Sequence, residues 1–329
     1  MASIHRYWML HIFKPDSGVA LAAESLAGHA ASKPLRVVRP WLVLLGLCVC
    51  GCSSDGGGGG GEGGAGGVGG VPSGGAAGAS TANLDPFSFF VTSLAAMQRL
   101  SGSSDGFGGD LRYGEADGLT GADRICTEIA ETSMPGSSAK IWRAFLSTTS
   151  GGVNNGPVNA ADRIGQGPWY DRLGRLVADN FDNLINTRPL GADAAIIDDL
   201  PNEDGVPNHQ PDPSQPQVDN HDILTGTNAQ GKLYANDPGS TCSDWTSSVA
   251  SAGTPRCGHS WPTQAGGGGG GRQQMIGGGI DLSNWMSALD EAGCAPGVNL
   301  AETGGPNPGN PTVGSGGGYG AIYCFALAP

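Results

Sequence analysis

The last part of this chain, residues 84–329, is predicted to fold as an α+β domain. Three observations predict it. One strongly amphipathic helix stands early, at 119–133. Short segments of strand character follow at irregular intervals. The stretches between them are long, polar and rich in glycine and proline. Glycine makes up 59 of the 329 residues and much of it lies in runs, so the folding part of the chain is shorter than its length suggests. The remaining region is large enough for one well-buried domain or two small ones.

The elements follow in order. "PFSFFVTSLAAMQRLSG" (86–102) places Phe90, Val91, Leu94, Ala95 and Leu100 in a modest helical pattern. "SSDGFGGDLRYGEADG" reads as a Gly/Asp loop. In "LTGADRICTEIAETS" (119–133), Ala122, Ile125, Cys126, Ile129 and Ala130 recur at i, i+3, i+4, i+7 and i+8, which puts Cys126 on the buried face. Thr120 with Asp123 three residues on predicts a capping box at its start. "KIWRAFLS" (140–147) begins by alternating apolar and polar residues and reads as a strand. "PWYDRLGRLVADNFDNLI" (168–185) reads as a short strand, a turn and another short segment, and "ILTGTNAQGK" (223–232) as a strand and turn. "SDWTSS" (243–248) and "AIYCFALA" (321–328) are strand candidates, and "SNWMSALDEAG" (283–293) a helical turn. Trp142, Trp169, Trp245, Trp261 and Trp285 are expected in the core. Loops this long in a compact domain are usually functional or clamped.

Charge narrows the partners. Residues 1–85 carry five Lys/Arg and five Asp/Glu, so the net charge of −13 belongs entirely to residues 86–329. Such a domain repels phosphate backbones and sulfated glycans, which argues against nucleic acid and heparin as partners. No basic patch with interleaved aromatics offsets this.

The N-terminal part has the order of an export signal. Lys33, Arg36 and Arg39 precede an apolar run from Trp41 to Val49, too short to span a bilayer as a helix but suited to a signal-peptide core. The run ends in Val49-Cys50-Gly51-Cys52, which resembles a bacterial lipobox. With Cys48 or Cys50 as acceptor, Leu47 or Val49 would fall at −1, where the family requires a small residue. Cys52 is therefore the expected lipidation site and 1–51 the signal, although the lead before Lys33 is long and includes Met9. Ser53, by the same resemblance, favours sorting to the outer membrane. The competing reading is a CxCxC metal site, but the next 30 residues offer only Asp55, Glu62 and hydroxyls as ligands. Residues 52–83 are mainly Gly, Ala and Ser and read as a flexible lipid-anchored tether. A second tract, "GGGGGG" at 266–271, lacks the Lys-Ser/Thr of a phosphate-binding loop.

The succession "GLTGADRICTEIA", "KIWRAFLS", "LTGTNAQGK", "TCSDWTS", "GHSWP" and "GGYGAIYCF" resembles secreted bacterial lipoproteins of myxobacterial type that carry a C-type-lectin-like, endostatin-like domain. The resemblance spans roughly residues 87–327. It implies a small twisted antiparallel sheet, one or two helices and long loops. It implies a bridge from the first helix to the last strand, Cys126 to Cys324. It also implies an inner bridge from Cys242, most simply to Cys294, and leaves Cys257 outside the scheme. An exported domain permits such bridges. Animal endostatin binds heparan sulfate and zinc; the acidic region here, with only His209, His221 and His259, carries neither over.

The most suggestive chemistry lies in "DDLPNEDGVPNHQPDPSQPQVDNHD" (198–222). Asn202, Asp204, Asn208, Gln210, Asp212 and Asp219 are hard oxygen donors in a loop and form a possible Ca²⁺ or ligand site. "QPD" at 210–212 is also a tripeptide that some calcium-dependent lectins use, but their later W-N-D partner is missing. A solvated acidic loop is the alternative. His209 and His221, with Asp219 and Asp222 near them, could ligate a transition metal, although twelve residues separate the histidines. Ser260 in "GHSWP" has Pro262 where a nucleophile elbow needs glycine. The carboxylate pairs Asp198/Asp199 and Asp290/Glu291 read as solvated charge.

The expected function is that of a surface lipoprotein, held in the outer membrane by Cys52. Its non-enzymatic lectin-like domain would bind carbohydrate or protein through 198–222 and 258–272. The alternatives are a structural envelope protein without a small ligand, and an enzyme of the formylglycine-generating type on the same fold with Cys257 as its thiol.

Overall fold

The computed structural model describes residues 86–262, 284–301 and 305–327. The signal segment, Cys52, the 52–83 tether and the 266–271 glycine tract lie outside the described residues. What is described is a mixed α+β fold. Among the described residues no helix is long and apolar enough to cross a membrane.

The organising element is the last strand, β8 (Gly318–Ala326), with every residue buried. Its run of tyrosine, isoleucine and phenylalanine suits a strand covered on both faces. β1 (Phe89–Val91) and β2 (Trp142–Ala144) pair antiparallel with its C-terminal half on opposite edges, at 323–325 and 324–326. β5 (Asp222–Leu224) pairs parallel with its N-terminal half. β6 (Arg256–His259) and β7 (Leu289–Asp290) extend that side antiparallel. A separate hairpin is formed by β3 (Trp169–Tyr170) and β4 (Leu176–Ala178).

Helix α2 (Gly118–Ser133) lays Ala122, Ile125, Cys126, Ile129 and Ala130 against this sheet. Its N-cap is Asp117, whose carboxylate accepts from the Thr120 amide at 2.8 Å and the Thr120 hydroxyl at 2.9 Å. Thr120 is thus the capped residue and not the cap, because the helix starts at Gly118 and its cap lies three residues before Thr120. Asp123 serves another purpose. It accepts from Arg163 twice at 2.8 Å, from Arg143 at 2.9 Å and from the Ala144 amide at 2.8 Å, tying α2 to β2. Covalent ties complete the clamp. Cys126 bonds Cys324, joining α2 to β8, and Cys242 bonds Cys294. In the chain-entropy treatment, closing loops of 198 and 52 residues contributes about 5 and 4 kcal/mol.

The apolar interior holds Trp142, Trp169, Trp245 and Trp285 with Phe87, Phe89, Phe90, Phe145 and Phe325. Three of these indoles find carbonyl partners at 2.8–3.1 Å, in Ser137, Ser147 and Leu184. Trp261 is different: it is partly exposed.

Three segments depart from the sequence reading. The 86–102 stretch splits into β1 and helix α1 (Leu94–Ser101), because Ser93 caps a helix start there by accepting from the Ala96 amide. "SDWTSS" is not a strand. Cys242, Ser243, Asp244 and Trp245 all have φ between 47° and 63°, a left-handed turn. It persists because Asp244 accepts from the Thr149 amide and from the Thr149 and Ser150 hydroxyls at 2.6–3.0 Å. Residues 284–293 form no helical turn but run into β7, with the Asn284 side chain accepting from the Met286 and Ser287 amides. After the short helix α3 (Phe181–Leu184), residues 185–221 run without regular helix or strand before β5, burying Ile196 and Leu200 on the way.

Candidate functional site

The 198–222 loop is fastened along one edge of the sheet. The Leu200 amide donates to the Ser260 carbonyl at 2.7 Å and the Val91 amide to the Pro201 carbonyl at 2.9 Å. Buried Glu203 accepts from the amide and hydroxyl of Ser93 at the start of α1. Asn208 donates to the Ser260 hydroxyl at 2.9 Å and accepts from Tyr319 at 3.0 Å. Ser260 is fully buried in this tie, which gives it a structural role at the end of β6.

The loop's oxygens turn inward. The Asn202 side chain accepts from the Asp204 and Val206 amides. Gln210 donates to the Pro216 and Val218 carbonyls at 3.3 and 3.4 Å. Asp212 accepts from the Ser214 amide and the Gln215 side chain, and Asp204 stands exposed. These residues stabilise the loop's own turns rather than converging on one point. Of the six oxygen donors, Asp219 alone joins a cluster of titratable side chains.

That cluster gathers all three histidines of the region beyond residue 85. Asp219 Oδ1 accepts from His209 Nε2 at 2.7 Å and from His221 Nδ1 at 2.8 Å. Burial alone would raise the Asp219 carboxyl. The two imidazole hydrogen bonds outweigh it and hold the group well below the usual carboxylate range. His209 lies flat on Trp261, with ring centroids 4.0 Å apart and planes 5° from parallel. Asp199 closes the other side of His209 and accepts its amide at 3.0 Å. Burial pushes the Asp199 carboxyl up to about 6.

Behind this rim the cluster continues inward. Asp222, first residue of β5, is paired with His259 on β6 and with Gly318 on β8. Asp222 Oδ1 stands 3.6 Å from His221 Nε2 and 3.4 Å from His259 Nε2. The three donor atoms lie within 4.8 Å of one another. The His221 and His259 rings are 3.9 Å apart. Glu291, just after β7, completes the buried charge: its Oε2 accepts from the Ser315 hydroxyl at 2.6 Å and the Gly316 amide at 2.9 Å. Gly316 sits between the two carboxylates. A Cβ there would fall 2.4 Å from Asp222 Oδ2 and 3.5 Å from Glu291 Oε2, so a side chain is excluded.

The electrostatics divide the pair. Burial, then the charge of Asp222, holds the Glu291 carboxyl far above its ordinary range. For Asp222, burial is more than reversed by the histidines, and the carboxylate is favoured. Burial holds the His259 imidazole below its ordinary range. Cys257, two residues before His259 on the same strand, is buried, and burial pushes its thiol far up. That is the environment of an inert cysteine.

Sequence reasoning named His209, His221, Asp219 and Asp222 as one metal-ligand set. The structure divides them into a rim and an inner group, and adds His259 and Glu291. The available signal was composition: the folded region has three histidines, and all three meet. No protein-family model and no curated protein matches this chain.

Proposed function

We propose that this chain is an exported lipoprotein, anchored in the outer membrane through Cys52 and tethered by 52–83, whose C-type-lectin-like domain recognises carbohydrate at the cell surface. The disulfide-clamped α+β scaffold with a long, fastened loop is consistent with that fold and with recognition through loops carried on a rigid frame. One observation carries the choice of ligand class: the His209–Trp261 stack, partly exposed and flanked by the carboxylates of Asp199 and Asp219. Aromatic rings beside fixed hydrogen-bond acceptors suit a polyhydroxylated ligand, which offers apolar C–H faces and hydroxyl donors together. The formylglycine-type alternative draws no support from Cys257, whose thiol is buried and raised.

The test is a glycan array probed with the detergent-solubilised full chain, in Ca²⁺ and again in chelator. Saturable binding lost in Trp261→Ala supports the reading. Chelator-insensitive binding keeps the ligand class without Ca²⁺. Absence of binding in both conditions shifts the function to protein adhesion or envelope structure. Anchoring is tested separately: Cys52→Ala releases the protein from the membrane fraction, and continued membrane association counts against lipidation.

A further inference from the structure

The inner half of the cluster has features that a recognition rim does not need. The Asp222 carboxylate, the His259 ring and Glu291 Oε1 are all buried, and none of their polar atoms has a hydrogen-bond partner. Leaving such groups without partners costs free energy, and most for a carboxylate. A proton shared by Asp222 and Glu291 would account for the carboxylates. It leaves the His259 ring without a hydrogen bond of good geometry, its Nε2 standing 3.4 Å from Asp222 Oδ1.

We propose that His221, Asp222 and His259 bind a divalent first-row transition-metal ion, zinc being the ion their chemistry fits, with the Glu291 carboxylate beside Asp222 sharing its charge. The spacing suits this. Ligands bound at 2.0–2.1 Å around tetrahedral zinc stand about 3.3 Å apart, and Asp222 Oδ1 lies 3.6 and 3.4 Å from the two imidazole Nε2 atoms. Tautomer suits it as well. Asp219 takes the Nδ1 proton of His221, which turns the Nε2 lone pair toward Asp222. Carboxylate–histidine–metal relays orient ligands in this way, and Asp219 is the positioning residue here. The donor set also separates ions, since two imidazoles favour zinc and its neighbours over Ca²⁺, which takes oxygen. The proposal stands independently of the carbohydrate reading.

The experiment uses the untagged full chain in detergent, stripped with chelator and returned to chelator-free buffer. Titration with Co²⁺ is expected to produce visible d–d bands that saturate at one equivalent and vanish on adding Zn²⁺. Elemental analysis then finds one zinc per chain. At a hundredfold excess over its Kd, Zn²⁺ raises Tm by roughly 5–10 °C, while millimolar Ca²⁺ does not. The double variant His221→Gln/His259→Gln loses more than about 100-fold in affinity, and Asp219→Asn, which keeps all three ligands, loses roughly 10–100-fold. If the double variant does not fold, the wild type and Asp219→Asn decide the matter. No cobalt bands and no Zn²⁺-dependent Tm shift in the wild type overturn the proposal. So does undiminished uptake by the double variant, which would place the metal elsewhere.

Discussion

Asp123, partly buried on α2, and Asp222, buried at the head of β5, are carboxylates that the domain treats in opposite ways. Asp123, on the contact between α2 and β2, receives hydrogen bonds from two arginines and a backbone amide. Asp222, at the head of β5, has no hydrogen-bond partner for either oxygen, although two histidines and a second carboxylate crowd it. The first region is saturated with partners of its own and serves stability. The second departs from the rule that buried polar groups are paired, and that departure is what motivates the metal-site proposal.

The comparison breaks most visibly at the covalent clamp. Replacing Cys126 and Cys324 together by alanine frees a loop of 198 residues and is expected to cost about 5 kcal/mol. Guanidinium denaturation of variant and wild type reads this directly. A loss below about 1 kcal/mol would mean that packing of α2 on β8 holds without the bond. Next comes the saturated carboxylate. Asp123→Ala leaves the charge of Arg163, a side chain only 11 % exposed, without its carboxylate, though the Ala144 carbonyl still accepts from it, and should cost about 3 kcal/mol, seen as a fall in the same denaturation midpoint.

The rim gives a smaller effect of opposite sign. Asp199 has its folded pKa raised to about 6 by burial, above the ordinary value near 3.9. The folded state therefore prefers the protonated acid. The stability this contributes is full below about pH 4 and is lost as pH rises through 6. Asp199→Asn keeps an acceptor for the His209 amide and removes the buried charge. It is expected to stabilise the domain by about 1–3 kcal/mol at pH 8 and to leave it unchanged at pH 4. Thermal melts at the two pH values check the sign, and an equal shift at both would refute the electrostatic cause. Smallest of all, Asp212→Ala at the exposed tip of the loop removes only its bonds to Ser214 and Gln215 and should cost less than about 0.5 kcal/mol. Thiol labelling sharpens the same contrast at Cys257: with Cys48, Cys50 and Cys52 replaced by serine, no reaction in the native state and one equivalent after unfolding without reductant. Native labelling would contradict its burial.

Much of the scaffold was legible from local pattern. The spacing of Ile125, Cys126 and Ile129 marks α2, and the apolar run at 321–328 marks β8, because burial on one face leaves a period that neighbours in sequence record. The left-handed turn at Cys242–Trp245 was not legible. Its cause is Asp244 meeting Thr149 and Ser150, some 95 residues away. The helix cap moved from Thr120 to Asp117 because both positions fit a cap, and only the path of the chain into α2 selects one. Trp261 left the core for the same kind of reason: its ring found His209 from a loop and not a strand face.

The candidate site divides along the same line. The residue types of the loop, its acidity and the scarcity of histidine were set by the sequence alone. So was the net charge of −13, all of it carried by residues 86–329. Which donors meet was decided only by the tertiary structure. Pairing Asp222 with His259 depends on the antiparallel register of β5 and β6, and a slip of one residue would send every side chain of the strand to the opposite face. Glu291 reaches the site because Ser315 and Gly316 hold it there. Register and long-range contact belong to the whole fold, since they follow from which segments bury one another and leave no period in the chain itself.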